Sequence, residues 1–200
     1  MQNVQGWWLP DGDEHFCKFI RGCAYQERQR QNSLSRVKKW RTALDIGSHV
    51  GFWTKDLSQK FETVHAFEPI QKNIECFKKN ITMQNVTLYP YAVGEKECFV
   101  TMKQKVENSG SCVVKSTNLE QGIEMKTIDS FNFQNVDYIK LDIQGYELPA
   151  LHGAKNTILK HKPTINIEQK AGPSTAAQEY LKTLGASIIS KYEKEVVFSF

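Results

Sequence analysis

Two carboxylates about twenty residues apart, each ending an apolar run, carry the first chemical signal in this chain. Ala43 and Leu44 lead into Asp45, after which Ile46, Gly47, Ser48, His49, Val50 and Gly51 provide a turn with two glycines. A second run, Thr63–Phe67, ends at Glu68 and Pro69. A strand, a glycine turn, a helix and a second strand tipped by a carboxylate is how α/β proteins hold the ribose of a nucleoside. Gly47 and Gly51 have no Cβ, so the backbone can turn tightly and approach a ligand, while Asp45 falls where a strand's carboxyl end meets the ligand crevice. Glu68 can accept from two vicinal ribose hydroxyls, and a charged acceptor makes the stronger bond.

The glycine spacing separates cofactors. A dinucleotide fingerprint, G-x-G-x-x-G, needs its middle glycine to admit a pyrophosphate, and here that position is His49. The pattern points to an adenosine-containing cofactor without a pyrophosphate, a description S-adenosylmethionine meets. An ordinary strand-to-helix turn with a chance acid downstream is the alternative.

A second constellation lies in the middle of the chain, where Asp137–Leu141 reads as a strand leading into Asp142, Ile143, Gln144, Gly145, Tyr146 and Glu147. Central parallel strands are buried on both faces and normally read as apolar, so Lys140 and Asp142 need a reason. Two residues apart on a strand, they share a face. In one reading Asp142 stands at the strand's carboxyl end beside the reacting atoms, with Lys140 deeper and Glu147 opening the next helix. In the other, Lys140 and Asp142 join a buried polar network, with Glu168 as a further member, and brace the loop.

The elements that must position these groups alternate after residue 40, which argues for a largely parallel sheet. Strands are expected at Thr42–Ile46, Thr63–Phe67, Val86–Tyr91, Tyr138–Leu141 and Thr164–Ile167, and helices at Trp53–Lys60, Ile70–Asn80, Pro149–Leu159 and Thr175–Leu184. Residues 97–128 read as a small antiparallel excursion turning at Ser109, Gly110 and Ser111. Ala186–Ser190 and Val196–Phe200 read as a closing hairpin. The chain is expected to form one domain, residues 1–200, with residues 1–40 a helical entry segment. Its paired Trp7 and Trp8 are expected to cover the core edge, with lining of an acceptor pocket as the alternative.

Composition bounds the class. With 40% hydrophobic and 24% charged residues over 200 positions, the chain matches a soluble globular domain with a substantial core. No apolar stretch reaches the roughly 18 residues that span a bilayer, and Met1, Gln2 and Asn3 do not begin a signal peptide, so a cytoplasmic protein is expected. The five cysteines are scattered, with no C-x-x-C pair to suggest zinc or redox chemistry. The net charge of +4 is mild; Arg21, Arg28, Arg30, Arg36, Lys38, Lys39 and Arg41 hold much of the excess, as a solvated face or a surface for an anionic partner such as nucleic acid.

The ordered set Asp45-x-Gly47-x-x-x-Gly51, Phe67-Glu68-Pro69, Tyr91-Ala92-Val93-Gly94, Thr127-Ile128-Asp129, Lys140-x-Asp142-x-x-Gly145-x-Glu147, Leu151-x-Gly153-Ala154, Pro163 and Ile167-Glu168 resembles the FkbM family of S-adenosylmethionine-dependent methyltransferases over roughly residues 42–168. The resemblance implies an α/β, Rossmann-like class I fold: a mostly parallel seven-stranded sheet with a C-terminal antiparallel hairpin and helices on both faces. It also implies transfer of a methyl group to a hydroxyl, typically on a sugar, glycan or natural product, leaving S-adenosylhomocysteine. Carried over by position, Asp45, Gly47 and Gly51 would line the methionine moiety, Glu68 the ribose, and Ala92 and Val93 the adenine, with Ser48, His49 and Pro69 also among the cofactor-binding residues. Asp142 would touch the cofactor and face the acceptor, with Glu147 and Glu168 beside it. The family usually carries Glu where this chain has Gln144.

In such a reaction the protein aligns acceptor, methyl and sulfur, and a positioned base takes the alcohol's proton. Asp142 is the first candidate base, with Lys140 and Glu147 beside it and His49 and His152 behind. Asp142 and Glu168 lack a clear third ligand, so the pattern does not call for a divalent metal. The rival readings are an RNA ribose methyltransferase and a non-catalytic binding module on the same fold.

Overall fold

The computed structural model describes residues 1–22, 25–105, 107–116, 122–168 and 174–200. The chain opens with a short antiparallel pair, β1 (Gln2–Val4) and β2 (Trp7–Leu9), followed by α1 (Glu14–Gly22) and α2 (Glu27–Leu34). Then come β3 (Thr42–Ile46), α3 (Phe52–Ser58), β4 (Thr63–Phe67), α4 (Gln71–Asn80) and β5 (Val86–Tyr89). A second sheet follows, of β6 (Ala92–Val93), β7 (Cys98–Lys105), β8 (Asn108–Ser116) and β9 (Ile123–Lys126). The chain returns through β10 (Val136–Leu141), α5 (Glu147–His152), α6 (Lys155–His161), β11 (Thr164–Glu168), α7 (Ser174–Thr183), β12 (Ser187–Tyr192) and β13 (Glu195–Ser199).

The main sheet has seven strands in the order β12-β13-β11-β10-β3-β4-β5. From β11 to β5 all neighbours are parallel, and β13 is antiparallel both to β11 and to β12. Helices cover both faces, as parallel strands require. Leu44, Ile46, Ile139, Leu141, Ile165 and Ile167 pack with Leu151, Ile158, Ala177 and Leu181 from α5, α6 and α7. On the other face Ala43, Val64 and Tyr138 meet Leu34, Trp53 and Leu57 from α2 and α3, and Ala66 meets Phe77 from α4.

Three expectations change. The strand foreseen at Val86–Tyr91 ends at Tyr89, where Pro90 has no N–H to continue the ladder, and Ala92–Val93 pairs with β9 in the second sheet. The helix foreseen at Pro149–Leu159 is two helices. A Cβ on Gly153 would lie 2.0 Å from the Gly94 carbonyl oxygen, so the chain runs backbone to backbone there, and Asp129 begins α6 afresh by accepting from the Asn156 and Thr157 amides. The turn foreseen at Ser109–Ser111 lies inside β8, because Lys105 already pairs with Asn108. The excursion is antiparallel between β7 and its neighbours but parallel between β6 and β9.

Trp7 and Trp8 pack on a cluster of Val4, Leu9, Phe16, Val50 and Phe52, and neither lines the main cavity. Two of the early basic residues are consumed internally: buried Arg30 pairs with Asp56 at 2.5 Å and Arg41 with Asp137 at 2.6 Å.

Candidate active site

A cavity of about 220 Å³ opens beyond the carboxyl ends of the central strands, where loops leaving neighbouring strands diverge. Gly47, His49, Glu68, Pro69, Ala92, Val93 and Asp142 line it. Asp45, Ser48, Gly51, Lys140 and Glu147 do not, and each has a different task.

Asp45 and Lys140 form the floor. They sit opposite each other in the β3–β10 register, and Lys140 Nζ lies 3.3 Å from Asp45 Oδ1. Asp45 Oδ2 accepts from the Thr54 hydroxyl at 2.6 Å. Lys140 Nζ donates to the Gly47 carbonyl at 2.8 Å and lies 4.0 Å from Asp142 Oδ2. Burial alone pushes Lys140 down, yet Asp45, Asp142 and Glu195 outweigh it and hold the ammonium above the usual lysine range. One buried cation therefore ties the first glycine turn to the loop after β10.

Gly51 serves packing. Its φ of +102° favours glycine, and a Cβ would meet Ile81 Cγ1 at 2.5 Å. Ser48 is buried and donates to the Phe67 carbonyl at 3.3 Å. Glu147 caps its own loop, accepting from the amides of Ile143 at 3.2 Å and Gly145 at 3.0 Å. His152 lies outside the cavity lining, against Tyr180.

Glu68 is buried on the cavity wall, with Oε1 accepting from the Ile70 amide at 2.8 Å and Oε2 from the His49 amide at 3.0 Å. Burial pushes its carboxyl up to about 7, against the opposing pull of Ile70, Asn73, His49 and Lys140. A carboxylate has about four lone-pair positions; the Ile70 and His49 amides and the Asn73 side chain take three, which leaves one for a ligand's hydroxyl. Across the cavity, Gln144 donates to Asp142 Oδ1 at 2.9 Å and to Glu168 Oε2 at 3.4 Å. Gln144 thus bridges two acids with amide hydrogens, which a glutamate there could not do. Among the described residues, no three His, Cys, Asp or Glu side chains form a group able to hold a metal.

His49 shares the Glu68 wall. Its Nε2 lies 2.6 Å from Ser109 Oγ, its ring stacks on Phe16 at 4.5 Å, and burial pulls its pKa down to about 4. The roof was not visible as a motif: Tyr25 comes from the entry segment, and Met102, Asn108 and Ser109 from the β7–β8 hairpin. Asn73, in the first turn of α4, follows Glu68 by five residues and carries a linear hint, a polar side chain on a buried helix face otherwise made of Ile74, Cys76 and Phe77.

A doubly covered parallel sheet closed by an antiparallel hairpin, with a carboxylate and a glycine turn at the tips of adjacent strands, defines the class I methyltransferase architecture. Residues 45–193 match the model of the Methyltransferase FkbM domain, and the chain belongs to that family. It is similar to a methyltransferase FkbM from Methylobacillus flagellatus, with a TM-score of 0.60 and 19% identity over 82% of this chain and 45% of that one. It is also similar to a methyltransferase candidate from Streptococcus mutans solved with SAH, with a TM-score of 0.51 and 10% identity over 86% of this chain and 94% of that one. Methyltransferase 1 of Beauveria bassiana is 23% identical over 141 residues, 55% of this chain and 57% of the fungal protein. The chain therefore spans about half the length of the fungal protein and of the Methylobacillus protein. No helix among the described residues is long and apolar enough to cross a membrane.

Proposed function

We propose that this chain is an S-adenosylmethionine-dependent O-methyltransferase whose acceptor is a hydroxyl on a sugar, glycan or natural product. The observation that carries the reading is Glu68: a buried carboxylate pinned by two backbone amides, facing a cavity beside a glycine turn. That combination suits a nucleoside with vicinal hydroxyls and no pyrophosphate.

The residues fit the group. Gly47 lies so close to Asp142 that a Cβ would collide with its carbonyl, leaving bare backbone at the ligand's edge, and Phe67, Val93, Met125 and Ile143 supply apolar wall for a base. S-adenosylmethionine, when bound, supplies a methyl carbon on a positively charged sulfur. The chain's own work is then alignment and proton handling. In this reading Glu68 accepts from a ribose hydroxyl, with Pro69 behind it, and Ala92 and Val93 border the adenine. Asp142, steadied by Gln144 and Lys140, takes the acceptor's proton. Asp45 and Lys140 hold the floor, and Glu147 holds the loop that presents Asp142.

The test is a calorimetric titration of the chain with S-adenosylhomocysteine, with NAD in parallel and Glu68→Ala as control, followed by methyl transfer to glycans, small alcohols and RNA. Saturable binding of the homocysteine product alone, lost in the variant, with turnover on glycans or small alcohols supports the proposal. Binding of NAD alone, or of neither, overturns it. Cofactor binding with turnover only on RNA, or on nothing, overturns the acceptor assignment and leaves the ribose methyltransferase or the binding module.

A further inference from the structure

Asp13 lies in the turn before α1, outside the residues that match the family. It is fully buried and accepts three hydrogen bonds: from the Phe16 amide at 2.9 Å, from the Ser109 amide at 3.1 Å and, through Oδ2, from the Ser109 hydroxyl. A serine hydroxyl has one proton. Given to Asp13, it leaves Ser109 Oγ an acceptor toward His49 Nε2, 2.6 Å away. The ring proton then sits on Nε2, and Nδ1, which is buried and meets no hydrogen-bond partner among the described residues, carries the lone pair.

His49 is an unusual place for such a clamp. Its φ of 53° is left-handed, a conformation disfavoured for a residue with a Cβ. Its backbone amide is one of the two that hold Glu68. A residue in a disfavoured conformation, tied by its amide to Glu68 and by its ring to Ser109, holds that shape because both ends are fixed.

We infer that Asp13 and Ser109 are positioning residues for the cofactor loop: the buried relay from Asp13 through Ser109 to His49 locks the imidazole in its Nε2–H tautomer and, with it, the amide that orients Glu68. The inference rests on the reading of Glu68 as the ribose acceptor. It makes the entry segment and the β7–β8 hairpin part of the cofactor site, although neither carries a cofactor motif.

Two measurements on the full chain test it: nitrogen-15 NMR of the histidine rings, and calorimetry with S-adenosylhomocysteine. The wild-type His49 is expected as Nε2–H. Asp13→Asn sets its NH2 against a backbone N–H whichever way the amide turns, at Ser109 or at Phe16, so the relay loses its charged acceptor of three bonds. Asp13→Asn and Ser109→Ala should each weaken binding about tenfold, in keeping with the loss of one charge-assisted bond in a buried chain. Ser109→Thr keeps the hydroxyl and should bind within about twofold of wild type. The double variant should be no weaker than the poorer single one, because members of one relay do not add. A wild-type ring protonated on Nδ1, single variants with unchanged affinity, or effects that add would overturn the inference. The wild-type tautomer needs no variant to fold, and melting curves separate loss of the site from loss of the fold. A wild-type chain with the Nε2–H ring and no affinity for the homocysteine product keeps the relay and sinks the reading of Glu68.

Discussion

Gly47 and Asp142 meet backbone to backbone: a Cβ built on Gly47 would lie 2.1 Å from the Asp142 carbonyl oxygen. The Asp142 amide also donates to the Ile46 carbonyl at 3.1 Å. The turns after β3 and β10 therefore form one surface. Gly47→Ala forces a Cβ into backbone at a φ of +80°, and we expect a loss of more than about 2 kcal/mol in denaturant unfolding together with loss of S-adenosylhomocysteine binding. A variant that unfolds and binds like wild type would show that the two turns can part without cost.

Lys140→Met should cost about 3–5 kcal/mol, because Asp45 is left buried and charged without its partner. Adding Asp45→Asn removes the stranded charge and should recover part of the loss. Urea denaturation of the two single variants and the double one decides it; purely additive losses would mean that the pair is not coupled.

Asp142→Asn removes the proposed base while keeping a polar side chain of the same size beside Gln144. Affinity for S-adenosylhomocysteine should stay within about threefold, and turnover on a working acceptor should fall by about 10²-fold or more. Normal turnover would remove Asp142 from the chemistry.

The ribose reading makes cofactor affinity pH-dependent. Glu68 is pushed up to about 7 by burial, and its charged form is the better acceptor for ribose hydroxyls. Binding of S-adenosylhomocysteine should therefore tighten as pH rises through about 7, and Glu68→Gln should bind weakly with a flat profile. Calorimetry on either side of neutrality checks this, and a flat wild-type profile would count against Glu68.

Glu195 gives a stability signal of defined sign. It accepts from Asn166 Nδ2 at 2.7 Å, and burial pushes its carboxyl from 4.5 up to about 7. Between those values the folded state holds more protons than the unfolded one, so the stability Glu195 contributes is fully present below about 4.5 and is lost as pH rises through about 7. His49, pulled from 6.5 down to about 4, acts in the opposite sense: its contribution is present above about 6.5 and is lost as pH falls through about 4. The whole-chain profile mixes these, so the comparison is by variant. Glu195→Gln mimics the protonated form, and its melting temperature relative to wild type should rise from mildly acidic to mildly basic pH.

Local pattern was a good guide wherever a local rule operates. β3 and β4 fall at the expected residues because each is an apolar run ended by an acid at the sheet's carboxyl edge. The closing hairpin was readable from two strand-like runs around a charged turn. Where backbone approaches backbone, the pattern misled: nothing in Pro149–Leu159 announces that Gly153 rests on the Gly94 carbonyl, so the break between α5 and α6 stayed hidden.

The candidate site divides along the same line. Gly47, Glu68 and Asp142 could be found from residue order, since glycine freedom and the reach of a strand-tip carboxylate are properties of short segments. Which acid faces the cavity and which is neutralised beneath it depended on neighbours across the sheet: Lys140 comes from a strand 95 positions after Asp45 in the chain, yet sits opposite it in register. The hydrogen bonds of Asp13 to Ser109 join residues 96 positions apart, and no periodicity relates them. Only folding brought those residues together, because a buried charge selects its partner by distance in space and by the absence of water, neither of which is encoded in linear spacing.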